Sequence, residues 1–340
     1  MAPFSFFYRL IMQFRNHLYN IGHKPSFEFD QLVISVGNLS VGGTGKTPFV
    51  EYLIRYFLQK ENGIQLSTLS RGYGRKTRGF LLADDAATAA SIGDEPYQIY
   101  RKFQEHISVA VGEDRVLAIP SILLERPDNQ VVILDDAYQH RRVKPNFSIL
   151  LSDYSRPFFK DHVLPAGLLR ESRSGAKRAD VVMITKCPHD LSDKEQDQIK
   201  EQVGRYSDKA VYFTSVAYGE IAGPDDREMK KEVVLLTGIA QPAPFKEYIQ
   251  ERYVVTEHMS FPDHHRFSLK DIQKVLEKAE ANEADIITTE KDWVRIMSDP
   301  ALFKLIGSKL FYLPIQVQFL NEESSFLSHL DALTAKHLGK

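Results

Sequence analysis

A glycine-rich stretch ending in Lys46 and Thr47 has the clearest capacity for chemistry. It follows the apolar run LVISV (32–36) and precedes a run with helical spacing that begins at Pro48. Its glycines allow a tight loop whose backbone N–H groups converge on phosphate oxygens, and the N-terminus of the next helix faces the same anion. The lysine would reach the β- and γ-phosphates of a nucleotide, and the threonine hydroxyl would ligate Mg²⁺. The stretch therefore predicts a phosphate-binding loop (P-loop).

The predicted P-loop departs from the pattern G-x-x-x-x-G-K-[ST] at Ser40, where the pattern has glycine. Glycine there mainly supplies backbone freedom, so serine changes the start of the loop more than its contacts. Pro48 fits the first turn of the following helix, where an amide would be unpaired anyway. We expect the nucleotide to be bound by the backbone of a continuous segment and by the lysine side chain: Ser40, Val41, Gly42, Gly43, Thr44, Gly45, Lys46 and Thr47.

Two carboxylates end a second apolar run, VVILDD (131–136). On its own such a pair is most often part of a turn, but a buried strand with an acidic end is also the arrangement that holds Mg²⁺ opposite the P-loop hydroxyl. Because a P-loop is also predicted, the run favours a metal site. We expect Thr47 and Asp136 to ligate Mg²⁺, with Asp135 in a supporting role.

The composition is that of a cytosolic globular protein. The chain has 340 residues, of which 43% are apolar, enough for one large α/β domain or two smaller ones. A single cysteine, Cys187, excludes an internal disulfide, and no continuous signal-peptide core precedes a small-residue cleavage site. We expect a monomer that binds no nucleic acid.

The first 25 residues contain Arg9, Arg15 and Lys24 but no acid, and they are rich in aromatic side chains. Polar residues interrupt the segment too often for it to cross a bilayer, which needs about 20 apolar residues. A basic, aromatic, amphipathic helix suits the surface of a membrane, where apolar burial and attraction to anionic lipid add together. A helix packed on the protein's own surface is the equally weighted alternative.

From residue 32 onward, short β-rich runs alternate with longer helical ones, which predicts an α/β fold: a P-loop NTPase-like parallel sheet flanked by helices, with a smaller C-terminal α/β lobe. The runs at 285–292 and 310–319 are each predicted to be one strand. A polar, turn-rich segment at 217–231 suggests a boundary. We expect a membrane-associating segment (1–25), a P-loop kinase core (26–220) and a C-terminal lobe that contributes to the active-site cleft (221–340).

Three further clusters contain polar residues in distinctive patterns. The stretch GDEP (93–96) predicts a helix start with Asp94 as the N-cap. FPDHH (261–265) precedes a capping-box-like helix start at 268–271, and it lacks the cysteines or spaced histidines of a zinc site. SRGYGRKTRG (70–79) is either an anion-binding surface or a solvated basic loop, and its basic residues are Arg71, Arg75, Lys76 and Arg78.

Seven motifs in a fixed order resemble those of the tetraacyldisaccharide 4'-kinase (lipid A 4'-kinase) family. TTEKDWVR (288–295) is a later match, and the family's own loop has serine or threonine at the position of Ser40. DDAYQHR differs from the commoner DDGFQHR at Ala137 and Tyr138 but retains the carboxylates, the glutamine and the histidine. The seven motifs are GNLSVGGTGKTP, SRGYGR, GDEP, VGEDR, DDAYQHR, LPAGLLRE and FPDHH.

The resemblance implies an enzyme at the cytoplasmic face of the Gram-negative inner membrane. With ATP and Mg²⁺ it would transfer the γ-phosphoryl group to the 4'-hydroxyl of a tetraacyl disaccharide 1-phosphate during lipid A assembly. It implies that Asp94 is the general base, oriented or tuned by His264, with Lys46 at the phosphates. Five residues are expected around the phosphates and the acceptor: Arg71, Arg115, Gln139, Arg170 and Glu171.

Two other functions remain open from the residues alone. One is a regulatory P-loop NTPase that switches partners, although Val41 occupies the place where such ATPases have an extra lysine. The other is a kinase of a soluble sugar, which would not need the first 25 residues. Guanine specificity is disfavoured because ITKCP (184–188) has proline where the base-reading motif has aspartate.

Overall fold

The computed structural model describes residues 2–60, 63–224, 227–263 and 265–339, with the side chains of residues 2 and 3 left out. Within these ranges the strands form a nine-stranded and a four-stranded sheet. The strands, in chain order, are β1 (Leu32–Asn38), β2 (Leu66–Ser70), β3 (Leu81–Leu82), β4 (Ser108–Val111), β5 (Val131–Asp135), β6 (Phe147–Asp153), β7 (Val181–Thr185), β8 (Ala210–Tyr218), β9 (Glu232–Thr237), β10 (Val254–Ser260), β11 (Asp285–Thr289), β12 (Leu310–Leu313) and β13 (Ile315–Phe319).

The larger sheet has the order β13-β8-β7-β6-β1-β5-β2-β4-β3, and its seven inner strands are parallel. Its edge strands, β3 and β13, are antiparallel to their neighbours. The inner strands are almost continuously buried, which explains why their sequences lack alternation. The predicted parallel sheet is confirmed, and its central strand β1 lies between β5 and β6.

Helices cover both faces of the larger sheet. On one face, α2, α4 and α11 pack over a core that includes Phe49, Phe57 and Phe326. On the other face, α5 packs through Ile119 and α6 through Val203. The helices are α1 (Ala2–Asn20), α2 (Lys46–Leu58), α3 (Ala89–Ile92), α4 (Asp94–Phe103), α5 (Arg115–Glu125), α6 (Asp193–Gly204), α7 (Ala243–Gln250), α8 (Leu269–Ala281), α9 (Glu290–Met297), α10 (Pro300–Ile306) and α11 (Glu323–Leu338).

The smaller sheet, β10-β9-β11-β12, is parallel throughout. One of its faces packs on α8, α9 and α10, with Ile272, Ile296 and Leu302 in the core, and the other packs on α7. Helix α9 also contacts α4 of the larger sheet. The smaller sheet is thereby attached to the larger one through the helix pair α4 and α9.

Two strand predictions were wrong. The run 285–292 is a strand only as far as Thr289, which caps α9, because its hydroxyl accepts a hydrogen bond from the Asp292 amide. The run 310–319 is divided at Pro314 between β12 of the smaller sheet and β13 of the larger. Strand β13 and α11 therefore return to the larger sheet, and the proposed division of the chain at residue 220 stays a prediction.

Candidate functional site

The P-loop connects the end of β1 to the start of α2, the context that the sequence predicts. Gly45 adopts a left-handed conformation (φ 78°), as does Gly42 (φ 118°), which side chains with a Cβ atom rarely adopt. The N-cap residue of α2 is Gly45, which has no side chain to cap the first turn. Because the first amides of a helix have no partner within the helix, such an N-terminus favours binding of an anion.

Side chains at the ends of neighbouring strands form hydrogen bonds with the P-loop. The Asn38 amide donates to Thr44 Oγ1 at 2.8 Å, and Thr185 Oγ1 donates to the Thr44 carbonyl at 2.9 Å. Lys186, just after β7, donates to the Gly43 carbonyl and to Asp153 Oδ2. The sequence predicted no role for Lys186, although its position directly after a parallel strand was a usable signal.

The start of the P-loop is paired with the LPAGLLRE segment. Ser40 forms an antiparallel bridge with Leu169, and the Val41 amide donates to the Leu168 carbonyl at 2.8 Å. The Arg170 amide donates to the Leu39 carbonyl at 2.7 Å. Ser40 therefore lies in extended backbone that fixes the start of the loop.

The carboxyl end of β5 lies beside the P-loop because β5 pairs with β1. Asp135 is buried, whereas Asp136 takes a left-handed conformation (φ 50°) and is partly exposed. Asp136 Oδ1 lies 3.7 Å from Lys46 Nζ and 3.1 Å from Arg170 Nη1. The structure thus brings together the predicted lysine and both predicted carboxylates.

The environment of Asp135 fits a hard cation. Burial is the main cause that raises its pKa to about 7, and Lys46 opposes the shift. Its Oδ1 atom is buried without a hydrogen-bond partner among the described residues. Those residues also contain no group of three or more His, Cys, Asp or Glu side chains arranged for a metal. Mg²⁺ commonly binds one or two carboxylates together with nucleotide phosphates, so the donors present suit that ion.

Gln139 and Glu171, which are predicted to lie near the substrate, belong to one hydrogen-bond network beside the start of the P-loop. The buried Glu171 carboxylate accepts hydrogen bonds from Arg178 at 2.8 and 2.9 Å, and from Gln139 Nε2 at 3.1 Å. Gln139 Nε2 also donates to the Asn38 carbonyl at 2.8 Å. Arg178, which the sequence did not single out, therefore holds Glu171 in place.

Arg71 and Arg115 are close enough to interact electrostatically. Burial first, and Arg71 second, lower the pKa of Arg115 to about 10, while Asp135 and Asp136 oppose the shift. The Arg115 Nε atom is buried without a hydrogen-bond partner among the described residues. The guanidinium of Arg75 forms an ion pair with Glu113 Oε1 at 2.6 Å, and its Nε and Nη1 atoms, like Arg115 Nε, are buried without a hydrogen-bond partner among the described residues.

His140 lies in this basic neighbourhood in its neutral form. Burial first, and then Arg115, lower its pKa to about 4. Between pH 6.5 and pH 4 this histidine is protonated in the unfolded chain but neutral in the folded chain. The free energy of unfolding therefore decreases as the pH falls through this window.

Replacing His140 with Gln removes this loss. In protein free of nucleotide, we expect the variant to gain about 2 kcal/mol of unfolding free energy relative to the wild type between pH 7.5 and pH 5.0. Denaturant unfolding at both pH values measures the difference. A difference that stays constant with pH would contradict the account of His140.

Asp94 is the first residue of α4 rather than its N-cap, so that prediction was wrong. Gly93 occupies the N-cap position with φ 97°, and a Cβ atom there would lie 3.2 Å from the backbone of Gly72. The Asp94 carboxylate accepts a hydrogen bond of 2.7 Å from Arg295 Nε, a contact that the sequence did not predict.

The predicted partner of Asp94, His264, lies outside the described residues, so the proposed pair stays a prediction. The next residue, His265, stacks on Phe261 and its Nε2 lies 3.1 Å from Asp271 Oδ2. The predicted helix start that follows is confirmed, since Ser268 and Asp271 form a capping box at α8.

Comparison with known proteins gives consistent matches over the whole chain. The family model described as tetraacyldisaccharide-1-P 4'-kinase (LpxK) matches residues 1–335. A tetraacyldisaccharide 4'-kinase of Flavobacterium johnsoniae is 46% identical over 96% of this chain and 94% of its own, and one of Cytophaga hutchinsonii is 40% identical over 100% and 97%. The crystal structure of LpxK from Aquifex aeolicus in complex with ATP superposes with a TM-score of 0.74, at 31% identity over 99% of this chain and 98% of that one.

Proposed function

The chain belongs to the tetraacyldisaccharide 4'-kinase family, and from this membership we propose how its residues transfer a phosphoryl group. The protein is an ATP-dependent kinase of lipid A biosynthesis. In the reaction, the 4'-hydroxyl oxygen of tetraacyldisaccharide 1-phosphate bonds to the γ-phosphorus of ATP as the bond to ADP breaks. The hydroxyl proton passes to a base on the protein. The observation that carries the proposal is the P-loop lysine facing two strand-end carboxylates, Lys46 to Asp136 at 3.7 Å.

The P-loop backbone and Lys46 bind the ATP phosphates. Lys46 now faces Asp136, and binding of ATP would give it phosphate oxygens as partners instead. Thr47, Asp135 and Asp136 would hold Mg²⁺, which supplies positive charge to the phosphate oxygens as the bond to ADP breaks. Arg170, 3.1 Å from Asp136, orients that carboxylate beside the lysine.

Asp94 accepts the proton of the 4'-hydroxyl, with His264 as its proposed partner. Two observations support this place for the base. The side chain of Asp94 is 30% exposed, so an acceptor can reach it. The next residue, Glu95, is among the charges that raise the pKa of Asp135, so the start of α4 lies within electrostatic range of that carboxylate.

Arg71 and Arg115 bind anionic groups of the nucleotide or the acceptor. A bound phosphate would reduce the repulsion between Arg71 and the buried Arg115, and it would give the Arg115 Nε atom a hydrogen-bond partner. Gln139, Arg170 and Glu171 contact the acceptor or orient the residues that do. Their hydrogen bonds to the start of the P-loop support this role.

Helix α1 brings this site to a membrane surface. One side of α1 is bound to the site: Tyr8 donates to the Arg170 carbonyl at 3.1 Å, Arg15 to the Gln139 carbonyl at 2.6 Å and Asn16 to Glu171 at 2.7 Å. Among the described residues, no helix is long and apolar enough to cross a bilayer. The other side of α1 exposes large apolar side chains: Phe4, Phe6, Phe7, Leu10, Ile11 and Phe14.

This arrangement supports a peripheral membrane protein, and from membership of the family we propose the cytoplasmic face of the inner membrane as its location. A helix that buries an apolar side in the headgroup region and carries basic residues is attracted to anionic lipid. The acylated acceptor stays in that bilayer, and the polar side of α1 contacts the residues proposed to bind its sugar.

The double substitution Ile11→Glu with Phe14→Glu tests the role of α1. These side chains are 66% and 64% exposed, so the fold should tolerate the change. We expect binding to vesicles containing phosphatidylglycerol to fall at least about tenfold, because each apolar side chain contributes about 1.5–3 kcal/mol on burial. Cosedimentation measures the binding. Leu124→Glu, on an exposed position of α5, is the matched control and should bind vesicles normally. Equal binding by both variants would contradict the membrane role.

Acceptor choice tests the proposed substrate. We expect the enzyme to phosphorylate tetraacyldisaccharide 1-phosphate in mixed micelles and to phosphorylate the deacylated disaccharide 1-phosphate far more slowly. Mass spectrometry of the products measures both reactions. Equal rates on the two acceptors would favour a kinase of a soluble sugar.

A further inference from the structure

Arg295 lies on α9, which packs on the smaller sheet, and its side chain contacts the proposed general base, Asp94 of α4. Its Nε atom donates to Asp94 Oδ2 at 2.7 Å, and the two residues are 201 positions apart in the chain. We propose that Arg295 is a positioning residue, which holds the Asp94 carboxylate in the orientation from which it accepts the acceptor's proton. This inference rests on the proposed role of Asp94 as the base.

Hydrogen bonds to residues other than Asp94 fix the orientation of the Arg295 guanidinium. Its Nη1 atom donates to Asp292 Oδ1 at 2.9 Å and to the Gly238 carbonyl at 3.0 Å. The side chain is 7% exposed, so water does not compete for these contacts. Because a guanidinium is planar, two acceptors on Nη1 also set the direction of the Nε–H bond. That bond points at Asp94.

Asp292, the anchor of Arg295, is itself rigidly held. It is completely buried, and its Oδ2 atom accepts hydrogen bonds of 2.8 Å from the Gly238 amide and from Thr289 Oγ1. A Cβ atom on Gly238 would lie 3.0 Å from Asp292 Oδ1, so glycine permits this close approach. Residues at the ends of β9 and β11 thus hold the Arg295 side chain in one orientation.

The helix pair α4 and α9 does not depend on this contact alone. Lys291 Nζ lies 3.3 Å from Glu95 Oε1, and Lys102 Nζ lies 2.5 Å from Glu290 Oε1 on the same two helices. Removing Arg295 should therefore leave the sheets attached while removing the hydrogen bond that orients the Asp94 carboxylate. Small errors in the position of a reacting group have large effects on rate, so the loss of this hydrogen bond should lower kcat.

The test compares Arg295→Lys, Arg295→Met, Asp94→Asn and the double variant Arg295→Lys with Asp94→Asn in the full-length enzyme, with tetraacyldisaccharide 1-phosphate as acceptor. Lysine keeps a positive charge for buried Asp292 but lacks the planar fork, so it protects folding if the methionine variant is unstable. We expect kcat to fall about tenfold for Arg295→Lys and about 100-fold for Arg295→Met. In each variant the KM for ATP and the KM for the lipid acceptor should stay within about twofold of the wild type.

The double variant distinguishes positioning from a general structural effect. If Arg295 acts through Asp94, adding Arg295→Lys to Asp94→Asn should lower kcat by less than about twofold further. A full tenfold further loss, or a wild-type kcat for Arg295→Met, would overturn the inference. A wild-type kcat for Asp94→Asn alone would instead refute the proposed base.

A stability control completes the experiment. Lys309→Ala removes an exposed ion pair with Glu280, 2.9 Å away, from the same smaller lobe. Its kcat and ATP affinity should match those of the wild type, because exposed pairs contribute little to stability. An equal loss of kcat in this variant would show that the rate responds to any disturbance of the lobe, and would overturn a specific role for Arg295.

Discussion

Replacing Asp94 with Asn is expected to lower kcat for transfer to the lipid acceptor by about 10³-fold, within the range that general bases contribute. The amide keeps the size of the side chain and can still accept a hydrogen bond from Arg295, but it cannot take a proton from the 4'-hydroxyl. The P-loop and the strand-end carboxylates are untouched by the change. The Kd for ATP should therefore stay within about twofold of the wild type.

The comparison requires separate measurement of binding and transfer. Titration calorimetry with a non-hydrolysable ATP analogue gives the Kd, and single-turnover transfer gives the rate of chemistry. Asp299→Asn is a suitable control, since Asp299 caps α10 and asparagine caps a helix equally well. An Asp94 variant that loses nucleotide affinity in parallel with kcat would show that Asp94 supports the nucleotide site and not proton transfer.

Replacing Lys46 with Met is expected to weaken ATP binding and turnover together. A hydrogen bond to a charged group contributes about 1.5–3 kcal/mol, so the Kd should rise about 10- to 100-fold. The effect on kcat should be at least as large, because charge on the transferring phosphoryl group must be stabilised as the bond to ADP breaks. Loss of Lys46 would also leave Asp136 without the ammonium 3.7 Å away.

Lys60→Met provides the matched control for Lys46. Lys60 lies just beyond the C-terminal end of α2, opposite the end that follows the P-loop, and it forms an ion pair with Asp331 of α11. Its removal should leave the Kd for ATP and kcat unchanged. If Lys46→Met bound ATP as tightly as this control, the P-loop assignment would be wrong.

Local sequence patterns were sufficient to predict the elements that carry the proposed nucleotide site. The strand before the P-loop, the helix after it and the carboxylates at the end of β5 all lie within short runs, and adjacent parallel strands bring their ends together. The extended backbone of Ser40 is a conformation that serine adopts readily, and its predicted effect on the loop's contacts stays a prediction. These features could be predicted because each element has a local hydrophobic pattern and because parallel strands end at the same edge of the sheet.

The residues that hold Asp94 could not be predicted in the same way. Arg295 and Asp94 are far apart in sequence, and their contact depends on how α9 of one sheet packs against α4 of the other. The start of α9 was nevertheless signalled, since Thr289 and Asp292 have the spacing of a helix N-terminus. Pro314 likewise signalled the division of the last β-rich run, because proline disrupts a continuous strand.

The most direct test of the phosphoryl-transfer account follows the γ-phosphoryl group of labelled ATP in one reaction. The purified wild-type enzyme is incubated with γ-labelled ATP, Mg²⁺ and tetraacyldisaccharide 1-phosphate in mixed micelles, and ADP, free phosphate and labelled lipid are quantified. The account predicts one labelled lipid for each ADP formed, with the label at the 4'-position. Label released as free phosphate in amounts equal to ADP, with none on the lipid, would contradict it and support a regulatory NTPase.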